Sequence, residues 1–368
     1  MQRIFVRILA TCLVLFSWGE AGPARAEAQA FVPFAEFLGS VELATFDTFA
    51  PREDAAVETP ADFQAMRRHV LSLYQGVDVE HSFLLDGQTF DCVPVEQQPA
   101  VRALGPGAVL PEPPAPFAAA SVEPGPARQL VSPLSLGLAD AFGHAVHCDA
   151  GTIPMRRVTL EEMSRFGSLE AFFRKTPFPV GSPEDLAAKA TYVHKYAHAY
   201  QNVKNYGGNS LLNVWSPAIN TAKNQIFSLS QHWYVGGSGA KLQTVEGGWQ
   251  AYPAKYSTTK SVLFIYWTAD AYNHTGCYNL DCTAFVQTNS NWHLGGTWTN
   301  YSSKGGTQWE FQMQWYLYQG NWWLFIQGDA VGYYPGSKFG SGQLSKWATE
   351  VDFGGETVGT TSWPPMGS

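Results

Sequence analysis

Residues 191–368 hold only four glutamates: Glu246, Glu310, Glu350 and Glu356. Two of them occupy positions suited to chemistry. Glu246 lies in "TVEGGWQAYP" and Glu356 in "VDFGGETV", each beside a pair of glycines. Strand alternation sets Glu246 on one face with Leu242, Thr244, Gly248 and Gln250, with Val245 and Trp249 pointing the other way. In the second segment Trp347, Val351 and Phe353 form an apolar face, and Glu350, Asp352, Gly354 and Glu356 the opposite one. Glycine in a strand often marks a close backbone approach, and a peptide laid across the sheet would be such a backbone. Two carboxyls that share one proton can activate a water and polarise a carbonyl, as aspartic proteases do. Gln250, on the Glu246 face, is a candidate to orient the water or the substrate. On alternation alone, two solvated surface carboxylates are the better fit to the pattern.

Other chemistries have weaker support. The chain has no GxSxG elbow and no glycine-rich phosphate loop opening a helix. "HKYAH" (His194, His198) has i,i+4 spacing without the glutamate of HExxH, so packing or surface placement is expected rather than metal ligation. An Arg-free C-terminal half in a chain of net charge −8 is a poor nucleic-acid surface. No metal and no cofactor are expected. Two carboxylates in an aromatic groove also serve glycoside hydrolases, and a tryptophan-rich sandwich can bind carbohydrate without catalysis, so these remain the alternatives.

The elements that must carry these residues differ sharply along the chain. Residues 27–190 carry 22 acidic and 11 basic side chains and no Trp; residues 191–368 carry eight acidic residues, nine Lys and twelve of the thirteen Trp. A domain boundary is expected near residue 185. The first part is partly helical. "TPADFQAMRRHVLSLYQG" has Thr59 as N-cap, Pro60 in the first turn and Gly76 as stop, with Phe63, Met66, Val70 and Tyr74 at helical spacing. "TLEEMSRFGSLEAFFRK" opens on a Thr159/Glu162 capping box. Residues 104–133 hold eight Pro and read as an extended connector. The second part reads as strands throughout. "SVLFIYWTAD", "QWEFQMQWYLYQ" and "NWWLFIQGDAVGYYP" are aromatic and β-branched, punctuated by Gly and Asn, which points to an all-β antiparallel sandwich. Trp249 is expected in the core, and part of the tryptophan set in a groove.

Residues 1–26 read as an export signal, with Arg3 and Arg7, an apolar run from Ile8 to Trp18, and Ala24-Arg25-Ala26 at the cleavage site. No apolar run reaches the roughly 20 residues of a membrane span. The mature protein is expected outside the cytoplasm, extracellular or periplasmic. Removing the signal leaves Cys92, Cys148, Cys277 and Cys282. In an oxidising compartment these allow three disulfide connectivities, of which the local one, Cys92–Cys148 with Cys277–Cys282, is the expectation.

Several strings are family-specific: "TVEGGWQAYPAKY", "FIYWTADAY", "TGCYNLDCTAFVQ", "GNWWL", "VGYYP" and "VDFGGET". From about Asn213 to Glu356 the chain resembles the neprosin family of secreted glutamic peptidases. "FDCVPVEQQPAVR" and "CDAGTIPMRR" are similar, more loosely, to that family's activation peptide. The resemblance implies a signal peptide (1–26), a removable pro-domain (27–185) acting as an intramolecular inhibitor, and a β-sandwich catalytic domain (186–368). It also implies Glu246 and Glu356 as the catalytic pair, peptide or protein substrates, and cleavage after proline. Gly247 replaces a usual Ala, and Phe353 a common Trp, without touching the carboxylates. By analogy Glu246 is the expected general base. The net −11 of residues 27–190 suggests acid-triggered release, with cutting in "RKTPFPVGSPEDL" (174–186).

Overall fold

Alternation and turn chemistry explain most of the strand-rich half. In the computed structural model, which describes residues 30–116, 128–134, 137–175 and 192–367, two six-stranded sheets stack face to face. The first has the order β10-β9-β8-β7-β15-β5. Its strands are β5 (Val193–Asn205), β7 (Gln225–Gly236), β8 (Gln243–Ala251), β9 (Val262–Thr268), β10 (Cys277–Tyr278) and β15 (Ala348–Gly359). The second contains β11 (Val286–Gln287), β14 (Asp329–Tyr334), β13 (Asn321–Ile326), β12 (Gln308–Tyr318) and β3 (Arg128–Leu130), with β6 (Gly207–Asn213) also paired to β12. All pairs within the first sheet are antiparallel. Asp86-Gly87, Gln319-Gly320 and Gln327-Gly328 each form a two-residue hairpin turn with both residues at positive φ, which matches the right-handed strand twist. The core between the sheets takes the apolar faces, with Val245, Trp249, Phe311, Met313 and Trp315 fully buried.

The N-terminal region brings α1 (Phe34–Leu43), α2 (Phe46–Phe49), α3 (Pro60–Tyr74), α4 (Pro99–Arg102), α5 (Leu160–Ser164) and α6 (Leu169–Phe173). A small antiparallel sheet, β1-β2-β4, joins β1 (Ser82–Leu85), β2 (Gln88–Pro94) and β4 (Thr152–Arg156). Thr59 caps α3 by accepting from the Asp62 N–H, and Phe63, Met66, Val70 and Tyr74 are buried along one stripe as their spacing predicts. The segment from Thr159 forms two short helices rather than one. Ser168 caps a second helix after Gly167, and Glu162 spends its side chain on buried Arg156 at 2.7 Å instead of completing the capping box. The disulfides are Cys92–Cys148 and Cys277–Cys282, the local pairing.

The described residues from Phe31 onward pack as one unit. β3 adds in parallel to β12, and Arg128 pairs at 3.3 Å with buried Glu310. The Glu310 carboxylate is thereby buried beside a half-exposed guanidinium. The signal segment, and most of the segment expected to contain the domain boundary and the cut, lie outside the described residues.

Candidate active site

Strand order creates the site. Strand β7 runs between β8 and β15, and on its cleft face Trp233 pairs with Glu246 and Asp352, Gln231 with Gly248 and Gly354, and Leu229 with Gln250 and Glu356. Glu246 and Glu356 thus lie diagonally across one strand, on the same face, both with no solvent exposure. A Cβ on Gly248 would stand 1.9 Å from the Ser230 carbonyl, and one on Gly354 2.3 Å from that of Ala197. The close approach at these glycines is therefore made by the flanking strands themselves, which leaves the row between the two glutamates to the Gln231 side chain.

One cation joins the pair. Lys175 Nζ lies 2.6 Å from Glu246 Oε2 and 2.8 Å from Glu356 Oε2. The two carboxylate oxygens can be no further apart than the sum of these contacts. Burial by itself would lower the Lys175 pKa, but the two carboxylates outweigh it and raise the pKa well above the ordinary value. Burial works to raise Glu356; the Lys175 charge and the His194 hydrogen bond prevail and hold it at about 2.

The remaining partners differ between the two glutamates. Glu246 Oε1 accepts from Thr244 Oγ1 at 2.8 Å and from the Tyr272 hydroxyl at 2.7 Å. Glu356 Oε1 lies 2.5 Å from His194 Nδ1, presented by edge strand β5. Tyr272 is delivered by a loop in which Ala271 and Tyr272 both have positive φ, at 59° and 64°. Such strain persists only where the surroundings over-determine it. Here Asp270 accepts from the His274 and Thr275 N–H groups and from Thr275 Oγ1.

The segment carrying Lys175 is stitched into the cleft by its carbonyls. Lys255 Nζ donates to Phe172 O (2.9 Å), Tyr266 to Phe173 O (3.3 Å) and Tyr278 to Lys175 O (3.0 Å). Gln250 has its place in this relay: its Nε2 donates to the Tyr278 hydroxyl and its Oε1 accepts from Tyr256. Trp249 is wholly buried, with Nε1 donating to Asn213 O.

The sequence reading named Glu246, Glu356 and Gln250; the fold brings the two glutamates together at Lys175, while the buried Gln250 amide is engaged by Tyr278 and Tyr256 rather than by either glutamate. That reading missed Lys175, Thr244, Tyr272 and Gln231. His194 was assigned to packing or surface and in fact meets Glu356. Each missed residue but Gln231 left a trace without a role: Thr244 on the Glu246 face, Lys175 inside "RKTPFPVGSPEDL" and Tyr272 at the end of "FIYWTADAY".

The Neprosin family model matches residues 224–368, a stretch that contains both glutamates but neither Lys175 nor β5. Among solved structures, CG-16, a homodimeric agglutinin from chicken liver, is similar over 45% of this chain and 96% of its own, at 5% identity and a TM-score of 0.23. A likeness that distant carries no argument here.

Proposed function

With the Neprosin domain at residues 224–368 as premise, we propose that this chain is the exported precursor of a glutamic endopeptidase, held inactive by its own N-terminal region. The carrying observation is the Lys175 ammonium, which touches both buried glutamates at once. It marks the point from which one small group can reach both carboxyls, the place a nucleophilic water must take. The carbonyls of Phe172, Phe173 and Lys175 accept side-chain donors along the cleft, as a bound peptide backbone would. The inhibitory segment therefore lies along the path assigned to substrate.

Once Lys175 leaves, two close carboxyls share a proton, because the first charge opposes the second ionisation. Their partners favour a division of labour opposite to that expected by analogy. Glu356, which keeps the His194 imidazole at 2.5 Å, is assigned as the base; Glu246, whose remaining partners are the neutral Thr244 and Tyr272 hydroxyls, is assigned as the acid. Glu356 takes a proton from water as its oxygen attacks the scissile carbonyl carbon, and Glu246 gives its proton to the carbonyl oxygen. The resulting diol collapses when Glu356 passes its proton to the amide nitrogen and Glu246 recovers one from a hydroxyl. The C–N bond breaks, leaving a carboxylic acid and an amine. His194 acts through Glu356 as a positioning residue. Proline preference follows the family.

Intact mass of the precursor after acid and neutral incubation, beside Glu246→Gln and Glu356→Gln, tests the reading. The unmutated protein alone should shorten, and should then cut an added proline-containing peptide. Equal shortening of all three proteins would refute the glutamate pair. If none cuts peptide while a glycan releases reducing ends, the glycoside alternative replaces it.

A further inference from the structure

Beside the glutamate pair lies a cleft of about 220 Å³, lined by Lys175, Tyr196, His198, Gln231, Trp233, Tyr272, Glu350 and Asp352. It shares Lys175 and Tyr272 with the site above and so adjoins the glutamate pair. Its floor has surplus acceptors. Asp352 is 1% exposed; its Oδ1 takes the His198 Nδ1 at 2.6 Å, and its carboxyl also hydrogen-bonds to the neighbouring Glu350 carboxyl, an acid pair that a bound cation would replace as partner. The Gln231 Oε1, on a residue also 1% exposed, is buried without a hydrogen-bond partner. An acceptor buried without a donor costs about 1–3 kcal/mol, more when charged, so the pocket is built for an occupant that donates. The walls are the aromatic rings of Tyr196, Tyr272 and Trp233, with His198 stacked on Trp233 at 5.6 Å. An aromatic box over a carboxylate floor selects a cation.

We propose that this pocket is a substrate subsite for a lysine or arginine side chain close to the scissile bond. The inference rests on the peptidase reading and adds a substrate class to it. A guanidinium or ammonium entering between Trp233 and the tyrosines would donate to Asp352 Oδ2 and Gln231 Oε1 and lie against Glu350. Two carboxyl groups of β15 face one imidazole of β5, and β7 contributes only the neutral Gln231 and Trp233. Apart from Lys175, which departs with the inhibitory segment, the acidic excess is uncompensated. Burial and the adjacent Asp352 push the Glu350 carboxyl above its ordinary range. Selectivity for a basic side chain should therefore strengthen as pH rises through that titration.

The test uses the full chain after acid activation and a set of proline-containing peptides with Lys, Arg, Leu or Glu at each position flanking the bond. At one position the basic peptides should be cut at least roughly tenfold faster than the Leu peptide in kcat/KM. That ratio should fall to near one in both Asp352→Asn and Glu350→Gln, the second being the less buried change. No basic preference at any position, or a preference that survives both substitutions, overturns the subsite while the peptidase reading stands. If no peptide is cut, the peptidase reading falls, and binding of the same peptides to the protein by fluorescence anisotropy decides the subsite. Tighter Lys and Arg binding that both variants abolish supports it; equal binding overturns it.

Discussion

Replacing Lys175 by methionine keeps the length of the side chain and removes its charge. The magnitude follows from Glu356, whose carboxyl stands at about 2 against an ordinary 4.5. At about 1.4 kcal/mol per pH unit, that depression sets an upper bound of roughly 3 kcal/mol on what Lys175 contributes to the closed form through Glu356, since His194 stays beside Glu356 when the segment leaves. A depressed carboxylate stabilises the closed form above its ordinary pKa, and this stabilisation is lost as pH falls through the depressed value. The Lys175 hold is thus complete at pH 5 and disappears only near pH 2. Acid release at pH 4 to 5 therefore has to act through other carboxylates or through cutting of the chain, not through titration of Glu356. The expected outcome for Lys175→Met is a precursor that processes itself with a much shorter lag at pH 5, up to roughly two orders of magnitude if the whole effect reaches the opening equilibrium. Its loss of thermal stability relative to the unmutated precursor should be largest above pH 4.5 and vanish toward pH 2. The assay is a progress curve on a fluorogenic proline peptide, beside intact mass and melting curves across pH. An unchanged lag with an unchanged pH profile would refute the idea that Lys175 blocks the site.

Three further outcomes are expected. His194→Gln removes a partner that holds Glu356 low, so the acid limb of the kcat/KM profile of the activated protein should move up by about one pH unit, a charge-assisted bond being worth about 1.5–3 kcal/mol. Tyr272→Phe removes one of the two hydroxyl donors to Glu246 and should lower kcat by about tenfold with little change in KM, readable by steady-state kinetics. The double change Cys92→Ser with Cys148→Ser opens a bridge spanning 56 residues. It should cost the precursor about 2–5 kcal/mol in denaturant unfolding, while the activated enzyme, having shed that region, keeps its rate.

Local pattern carried a good part of the fold. The α3 stripe and the strands of the C-terminal half follow from short-range spacing, because burial in a helix or strand repeats every 3.6 or two residues, and the Cys277–Cys282 bridge from a separation of only five. The single helix expected after Thr159 failed where Gly167-Ser168 offered a break and a new cap. Burial of Glu310 in β12 was not legible, because its partner Arg128 stands on β3, a strand from a distant part of the chain.

The same contrast governs the site. By itself the sequence determined that Glu246 and Glu356 stand on polar strand faces beside glycine, since alternation is a property of each strand alone. Only the tertiary structure decided that they meet. That required the last strand, β15, to insert between β7 and β5, a pairing that no local spacing encodes. It also brought His194 to Glu356 across 162 residues and Lys175 to Glu246 across 71. A lysine following a short helix reads as solvated from sequence. It becomes a buried counter-ion because Lys255, Tyr266 and Tyr278 fix the backbone around it, and because two buried carboxylates leave a cation as the partner that satisfies both.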